Sequence, residues 1–515
     1  MKATVEREIK LAVEPDFVLP ALPGAPLEAR FLEATYWDTA SRSLARLGIT
    51  LRHRVENGHG RWQLKLPRGV ARVELEVSGG PGQPPVDLAE LLVAITRNDP
   101  LGRAATLRTR RSGRVVHDGK GSPVAEAVVD RVSVLDDGTV TARFTELEVV
   151  LIAGGSERNL RRIEKALRAA GATDGDGRPK LLRALGIGEP TGGAAAAAAA
   201  EAAPVDGAAE VDGAAEVDGA ASATAAPPAA GAAATPSLLR LTQALEAQHR
   251  MLLTSDPGTR LGTDPEDLHD MRVATRRIRS FLRTARDLVD PAWSEPLRAE
   301  LAWLADELGA VRDLDVLIER LEPEVAALDP DQRAALETAL LARLHNERGL
   351  ARELLVAGLA SQRYFALLDA LEAPSAFREE AAAAPGLPET AAAEYRRLRR
   401  AMRRIDASSP DEQVHATRIR GKRARYAAEL AQPLLGKRAA GLIAATKALQ
   451  DVLGEHQDSA VAEEHIRRLT SRDRGVAAFA GGRLAERERG RRAAARLALP
   501  AAWDAVERRA RRAFS

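Results

Sequence analysis

Val5–Glu14 reads VEREIKLAVE. Residues two apart in a β-strand share a face, so this stretch sends Glu6, Glu8 and Lys10 to one side and Val5, Arg7 and Ile9 to the other. The spacing recurs in Arg52 and Arg54 of LRHR, Gln63 and Lys65 of WQLKL, Glu74 and Glu76 of VELEV, Arg108 and Arg110 of LRTRR, and Glu146 and Glu148 of TELEV. On one amphipathic strand such a pair is an ordinary solvated face. Repeated along the domain, the pairs describe a barrel turned inside out, with acids and bases lining its lumen. Carboxylates hold hard divalent cations, and Arg and Lys bind phosphate oxygens, so that lumen suits a metal-bound polyanion.

The 515 residues suffice for two or three domains, each with its own core. With 75 Lys and Arg against 73 Asp and Glu, attraction to polyanions must come from local clusters. No cysteine occurs, which excludes disulfides and thiolate metal sites. No N-terminal stretch reads as a signal peptide or membrane span, so a cytoplasmic location without membrane association is expected. Aromatic residues make up 3% of the chain, too few for single-stranded nucleic acid to be stacked along it.

Short alternating runs separated by Gly, Pro and Asp fill residues 2 to about 150, the texture of an antiparallel sheet, with helical segments at DLAELLVAIT and ERNLRRIEKALRAAG. Residues 188–236 are rich in Ala, Gly and Pro, repeat EVDGAA, and read as a flexible linker spanning about 35–42 Å by random-coil scaling. From 237 to 515 helical periodicity dominates. The expected architecture is therefore an α+β antiparallel β-barrel with flanking helices over 1–187, a linker over 188–236, and an all-α bundle over 237–515.

That bundle contains an internal repeat. HDMRVATRRIR from His269 aligns without a gap to HATRIRGKRAR from His415, matching Arg272 with Arg418, Arg276 with Lys422, Arg277 with Arg423 and Arg279 with Arg425, at an offset of 146. LGAVRDLDV and LGEHQDSAV match Gly309 with Gly454 and Asp313 with Asp458 at an offset of 145. A duplicated bundle with pseudo-twofold symmetry follows. Arg272, Arg276, Arg279, Arg283 and Arg286 form one helical stripe behind His269, and Arg418, Lys422 and Arg425 another behind His415. Singly, either is a solvated face. As a symmetric pair they converge on a groove able to grip an extended phosphate chain. His269, His415, His456 and His465 could instead chelate a transition ion, but their arginine-rich surroundings repel divalent cations and favour anion binding.

The opening E-x-E-x-K, followed in order by TYWDT, LGITLRHR, WQLKLP, ELEV, VVDRVSV, FTELEVVL and RPKLLRALG, resembles the CYTH domain, or triphosphate tunnel metalloenzyme, of class IV adenylyl cyclases and thiamine triphosphatases. The resemblance implies that Glu6, Glu8, Glu146 and Glu148 bind Mg²⁺ or Mn²⁺ in a two-metal site, with Asp130 near the metal or orienting water. It implies that Lys10, Arg52, Arg54, Lys65, Arg108, Arg110 and Lys180 hold the phosphate chain, and that Glu6, Glu8, Lys10 and Asp130 carry the chemistry. Trp62 is the nearest aromatic that could stack on an organic moiety.

HDMRVATRRIRSFLR, LGAVRDLDV, HATRIRGKRARYAAEL and LGEHQDSAVAEEHI resemble the CHAD domain, the conserved histidine α-helical domain, over 237 to about 470. This implies polyphosphate binding by His269, Arg272, Arg276, Arg279, His415, Arg418, Lys422, Arg425 and His456, and association with polyphosphate granules. The expected activity is hydrolysis of inorganic triphosphate to pyrophosphate and phosphate. The alternatives are a non-catalytic polyphosphate scaffold and adenylyl cyclase or thiamine triphosphatase activity at the same site. Inorganic triphosphate and long-chain polyphosphate are the expected partners, and nucleic acid is disfavoured.

Overall fold

Two Gly-containing dipeptides set the central hairpins. Asn57-Gly58 and Asp137-Gly138 adopt positive φ at both residues, the geometry whose twist matches that of paired strands. They join β4 (Thr50–Glu56) to β5 (His59–Arg68), and β8 (Pro123–Asp136) to β9 (Thr139–Leu151). The computed structural model describes residues 2–68, 71–175, 178–187, 235–378, 381, 383–406 and 408–514, without the side chains of residues 2, 3, 5, 6 and 71. The Glu6 side chain and nearly all of the expected linker, residues 188–234, lie outside the described residues. The described residues form a β-rich N-terminal unit and a helical C-terminal unit.

The sheet of the first unit is completed by β1 (Lys2–Glu6), β2 (Glu8–Ala12), β3 (Gly24–Asp38), β6 (Ala71–Ser78), β7 (Gly102–His117) and β10 (Thr173–Asp174). All pairs are antiparallel, in the order β1-β6-β5-β4-β3-β7-β8-β9-β2-β10. This order is linear, so the expected barrel is not closed by a hydrogen-bonded ladder. The opening stretch links its edges instead: β1 pairs with β6, β2 pairs with β9, and Arg7 alone separates them in sequence. Arg7 points outward to Glu157, 3.3 Å away.

Because the inner face is charged, the apolar residues of these strands pack on the outer face. Leu51, Trp62, Leu64 and Leu75 are covered by Leu44 of α1 (Ser43–Arg46), Leu88 of α2 (Val86–Leu91) and Ile95 of α3 (Val93–Thr96). Leu11, Ala127, Leu147 and Val149 are covered by Leu160, Ile163 and Leu167 of α4 (Glu157–Ala169), which opens with a capping box between Ser156 and Asn159. Toward one end the inner face turns apolar. Leu107, Val132 and Val134 meet Leu181 and Leu182 of α5 (Lys180–Ala184), which floors that end and aims Lys180 at the charged part.

In the helical unit, α6 (Pro236–Leu261) precedes α7 (Pro265–Thr284) and α8 (Pro291–Ala326). Asp264 and Asp290 cap α7 and α8, each followed by Pro in the first turn, where no backbone donor is lost. Then come α9 (Pro330–Leu336), a π-turn over Glu337–Leu341, α10 (Ala342–Leu359), α11 (Gln362–Glu372) and α12 (Leu387–Met402). The unit ends with α13 (Asp411–Leu435), α14 (Lys437–Thr470) and α15 (Val476–Ala513). α13 starts 146 residues after α7, and α14 starts 146 after α8, so the repeat seen in sequence is a repeat of helix pairs. Phe281 of α7 and Leu430 of α13 share one cluster with Leu241 of α6 and Leu387 of α12.

Leu182→Ala should lower stability by about 2–5 kcal/mol, the range for truncating a fully buried aliphatic side chain, whereas Phe31→Ala, 65% exposed, should change it by no more than about 0.5 kcal/mol. Guanidinium unfolding of the full chain compares the two.

Candidate functional site

Strand register determines which charges meet. Lys10 pairs with Glu148, Arg111 with Asp130, Asp130 with Glu146 and Lys65 with Glu74, so their side chains share the inner face. A cavity there is lined by Lys10, Arg52, Arg54, Lys65, Arg72, Arg111 and Lys180, against Glu8, Glu74 and Glu148, with Tyr36 and Thr50 between them. Cations outnumber carboxylates by more than two to one, which suits a ligand of several negative charges.

Beneath the cavity the charges interlock. Lys180 Nζ lies 3.0 Å from Asp130, 2.6 Å from Glu146 and 2.6 Å from Glu148. Arg111 donates from Nε and Nη2 to the two oxygens of Asp130 at 2.8 and 2.7 Å, and from Nη2 to Glu148 at 2.7 Å. Lys10 Nζ stands 3.3 Å from Glu148 and 3.7 Å from Glu8, and Arg72 reaches Glu8 at 3.6 Å. On the far wall Arg52 donates to Gln63 at 2.8 Å and to the Tyr36 hydroxyl at 3.0 Å, while Lys65 is 3.3 Å from Glu74 and Arg54 is 2.9 Å from Glu56.

Burial opposes the charges of Lys180, Lys10, Glu148 and Glu146, and their partners decide the balance. Burial would neutralise Lys180, but Glu148, Glu146 and Asp130 hold its pKa well above the ordinary lysine value. Lys10 is likewise raised, because Glu146, Glu148 and Glu8 outweigh its burial. Burial also works against the Glu148 carboxylate, which Lys180, Lys10 and Arg111 keep well below the ordinary range. In Glu146 burial wins and the pKa is raised, despite Lys180 and Lys10.

The donor chemistry fits a hard divalent ion. The Lys180 ammonium occupies a point within 3.0 Å of oxygens from three carboxylates, a surrounding of hard ligands with no soft or imidazole donor. Among the described residues no three His, Asp or Glu side chains are already arranged as a metal site.

Four of the expected placements need correction. Arg108 and Arg110 face outward: Arg108 is exposed and bonds Glu33 at 3.0 Å, and Arg110 pairs across β3 with exposed Phe31. The reason is the apolar floor. In TLRTRR the inward residues are Leu107, Thr109 and Arg111, so the rule that apolar residues face outward inverts at this point and shifts the phase by one residue. Trp62 is on the outer face, 1% exposed, its ring 5.7 Å from that of Trp37 and its N–H bonded to Gly80 O, away from the cavity. Asp130 is fully buried behind Arg111 and Lys180, so it orients those cations and does not reach the cavity. Arg111, Arg72 and Tyr36 line the cavity without having been singled out, and Glu74 lines it as its strand spacing predicts. The doubled Arg110-Arg111 is the one signal that could have disclosed the first of them.

The fourth correction lies in the helical unit. His456 is 0% exposed, with Nε2 3.1 Å from Arg496 Nε and 3.2 Å from Asp411, and it packs helices together. Burial lowers its pKa ahead of the opposing pull of Asp411. His269 is buried, and His415 Nδ1 meets Gln457 at 2.8 Å. The two cationic stripes do converge. Arg276, Arg279 and Arg283 of α7 share a cavity with Lys422 and Arg423 of α13 and with Arg298 of α8, and no carboxylate among the described residues lines it. Arg272, Arg418 and Arg425 are buried beneath: Arg272 lies 3.0 Å from Asp313, and Arg425 lies 3.3 Å from Glu429. Arg418 acts on Asp458. Asp313 and Asp458, matched in the repeat, behave alike: burial raises both pKa values against nearby cations, that of Asp458 to about 6.

The CYTH domain family matches residues 4–177 and the CHAD domain family residues 243–467. An uncharacterized protein of Mycobacterium tuberculosis, Rv2226, is 32% identical over an alignment of 552 residues covering 99% of this chain and 98% of that one. This chain is a CYTH–CHAD protein. Of solved structures, PptA from Streptomyces chartreusis is similar at 26% identity and a TM-score of 0.45, over 52% of this chain and all of that one. The CHAD domain from the plant Ricinus communis is similar at 26% identity and a TM-score of 0.41, over 56% of this chain and 96% of that one. CYTH family members are metal-dependent and act as triphosphatases or cyclases. No single helix among the described residues is long and apolar enough to cross a membrane.

Removing Arg111 strands Asp130 on one side, so Arg111→Ala should cost about 3 kcal/mol of stability, as for breaking a buried pair, while Arg108→Ala and Arg110→Ala stay within about 0.5 kcal/mol. Urea denaturation of the three variants measures the contrast.

Proposed function

We propose that the CYTH unit hydrolyses inorganic triphosphate to pyrophosphate and phosphate with Mg²⁺ or Mn²⁺, and that the CHAD unit binds long-chain polyphosphate. One observation carries the substrate: seven cations line the cavity while its one aromatic ring among the described residues, Tyr36, is tied by its hydroxyl to Arg52. With Trp62 on the opposite face, that lining offers charge for phosphates and no open ring for a base or a thiazole.

Lys10, Arg52, Arg54, Lys65, Arg72, Arg111 and Lys180 bind the phosphate oxygens by charge-assisted hydrogen bonds. Glu8, Glu146 and Glu148, with Glu6 of the same motif, hold the divalent ions. When bound, these neutralise phosphate charge and supply an activated water. The cations on the far wall draw the pyrophosphate end away from the carboxylates and stabilise the charge it gains as the phosphoanhydride bond breaks. Asp130 is a positioning residue: its two oxygens fix the plane of the Arg111 guanidinium. In the CHAD unit the carboxylate-free cavity between α7 and α13 receives the polyphosphate.

A second reading, a phosphate-binding scaffold without turnover, is favoured by the compensation of Asp130, Glu146 and Glu148 by Lys180, Arg111 and Lys10. Phosphate release separates the two. With Mg²⁺ or Mn²⁺ the full chain should release phosphate from inorganic triphosphate faster than from ATP or thiamine triphosphate, and Glu8→Gln should lower that rate by about 100-fold or more. Tight triphosphate binding without any release would select the scaffold.

A further inference from the structure

The sequence EYRRLRRAMRR, Glu394–Arg404, is absorbed by neither site. Its residues 394–402 form the C-terminal half of α12, where Arg397 and Arg400 share one face at an offset of 3, and Arg404, in the turn just beyond the helix, continues that stripe. That stripe faces a cleft whose other wall is α13: a cavity there is lined by Arg397, Arg400 and Arg404 together with Arg420, and by no carboxylate. Three cavities are joined by shared residues. The central one between α7 and α13 shares Arg283 and Arg423 with the next, and that one shares Arg397 with the α12–α13 cleft. The middle cavity also carries Asp287, Glu389 and Glu394, with Arg397 paired to Glu394, so its five arginines exceed its three carboxylates.

An ordinary solvated surface intersperses both signs, and much of this protein does so, with Arg399 on Glu507 at 3.0 Å and Arg363 on Glu300 at 2.6 Å. The outer end of the track differs: Arg400, Arg404 and Arg420 are exposed and have no ion-pair partner among the described residues. Like charges also crowd its inner end, where burial, together with Arg423 and Arg298, pulls the Arg283 pKa down to about 10. Asp287, Glu389 and Glu394 offset part of this charge in the middle cavity, and the excess at both ends is relieved by an anion that spans the track.

We propose that the α12–α13 cleft is a second polyphosphate subsite, continuous with the central cavity, which takes the part of a long chain that extends beyond it. This rests on the reading of the central cavity as the polyphosphate site. A flexible single chain with one negative charge per unit can follow a narrow cleft between packed helices, lying 8–10 Å apart in general, and can meet each guanidinium in turn. A rigid duplex carries its phosphates on a broad cylinder and cannot enter. The subsite gives the protein a preference for chain length, because a short chain fills the central cavity alone.

The test compares the full chain with an Arg400→Gln/Arg404→Gln/Arg420→Gln variant, all three exposed positions where folding is unaffected. Affinity is measured for polyphosphates of about 100 and about 10 units across a salt series. The expected result is a loss of about tenfold or more for the long chain, a salt slope shallower by about 2, and unchanged affinity for the short chain. Equal effects on both lengths, or none on the long chain, would overturn the subsite while leaving the central cavity standing. Failure of the unaltered protein to bind either length would remove the central reading itself. A loss confined to duplex DNA would mark the cleft as a nucleic-acid surface and also overturn the proposal.

Discussion

One buried ammonium organises the N-terminal unit. Lys180 touches three carboxylates from two adjacent strands, and Arg111 closes the same cluster from a third strand. Each of these charges would be prohibitively costly to bury alone, so the fold must supply every partner at once. That requirement explains the inversion of the sheet. Once the interior is given to charge, apolar residues can be buried only on the outer face, and α1–α4 are needed there as covers. It also explains the placing of α5. Leu181 and Leu182 anchor it on the apolar floor, which carries Lys180, one residue earlier, directly into the cluster.

The sequence disclosed this arrangement wherever its period stayed at two. Glu8 and Lys10, Arg52 and Arg54, and Glu146 and Glu148 alternate with apolar neighbours, and the structure puts all of them on the inner face. It failed at the transition from charged lumen to apolar floor. There Leu107 points inward, and nothing local distinguishes it from an outward-facing leucine such as Leu51. Polarity assigns a face only when the polarity of that face is known, and along β7 it changes partway. Trp62, named as the nearest aromatic that could stack on an organic moiety, is instead buried on the outer face among Leu44, Leu88 and Ile95.

Duplication was the more robust signal in the helical unit. Matching offsets in sequence became matching starts of α7 and α13, and of α8 and α14, because an internal repeat constrains many positions at once. What it could not separate was the partner each cation takes. Arg272 and Arg276 occupy the same stripe, one turn apart, and both are buried, yet the first is ion-paired to Asp313 while the second bonds Tyr426 and lines the cavity. Asp313 and Asp458, matched in the repeat, lie among the buried cations of both stripes, Arg272, Lys422 and Arg276 acting on the first and Arg418 and Lys422 on the second. The arginines of α12 escaped notice because a basic run on one helix is normally only a wet face. Their meaning came from the helix packed opposite.

The two units apply one electrostatic principle with different boundaries. In both, a lower layer of compensated pairs supports an upper layer with excess positive charge. In the β-rich unit α5 packs on the apolar end of the inner face, so under the proposed function the depth available to a phosphate chain is limited and its terminal unit would meet the carboxylates. In the helical unit a surface with more arginines than carboxylates continues from cavity to cleft, through a middle cavity that also holds Asp287, Glu389 and Glu394. A closed site favours reaction at the end of a short chain, because only an end can reach the carboxylates. An open track favours retention of a long chain, because affinity grows with each unit engaged while no single contact must be strong. Chain length is thus the variable on which the two halves of this protein are expected to differ, and it follows from where each fold places an apolar barrier.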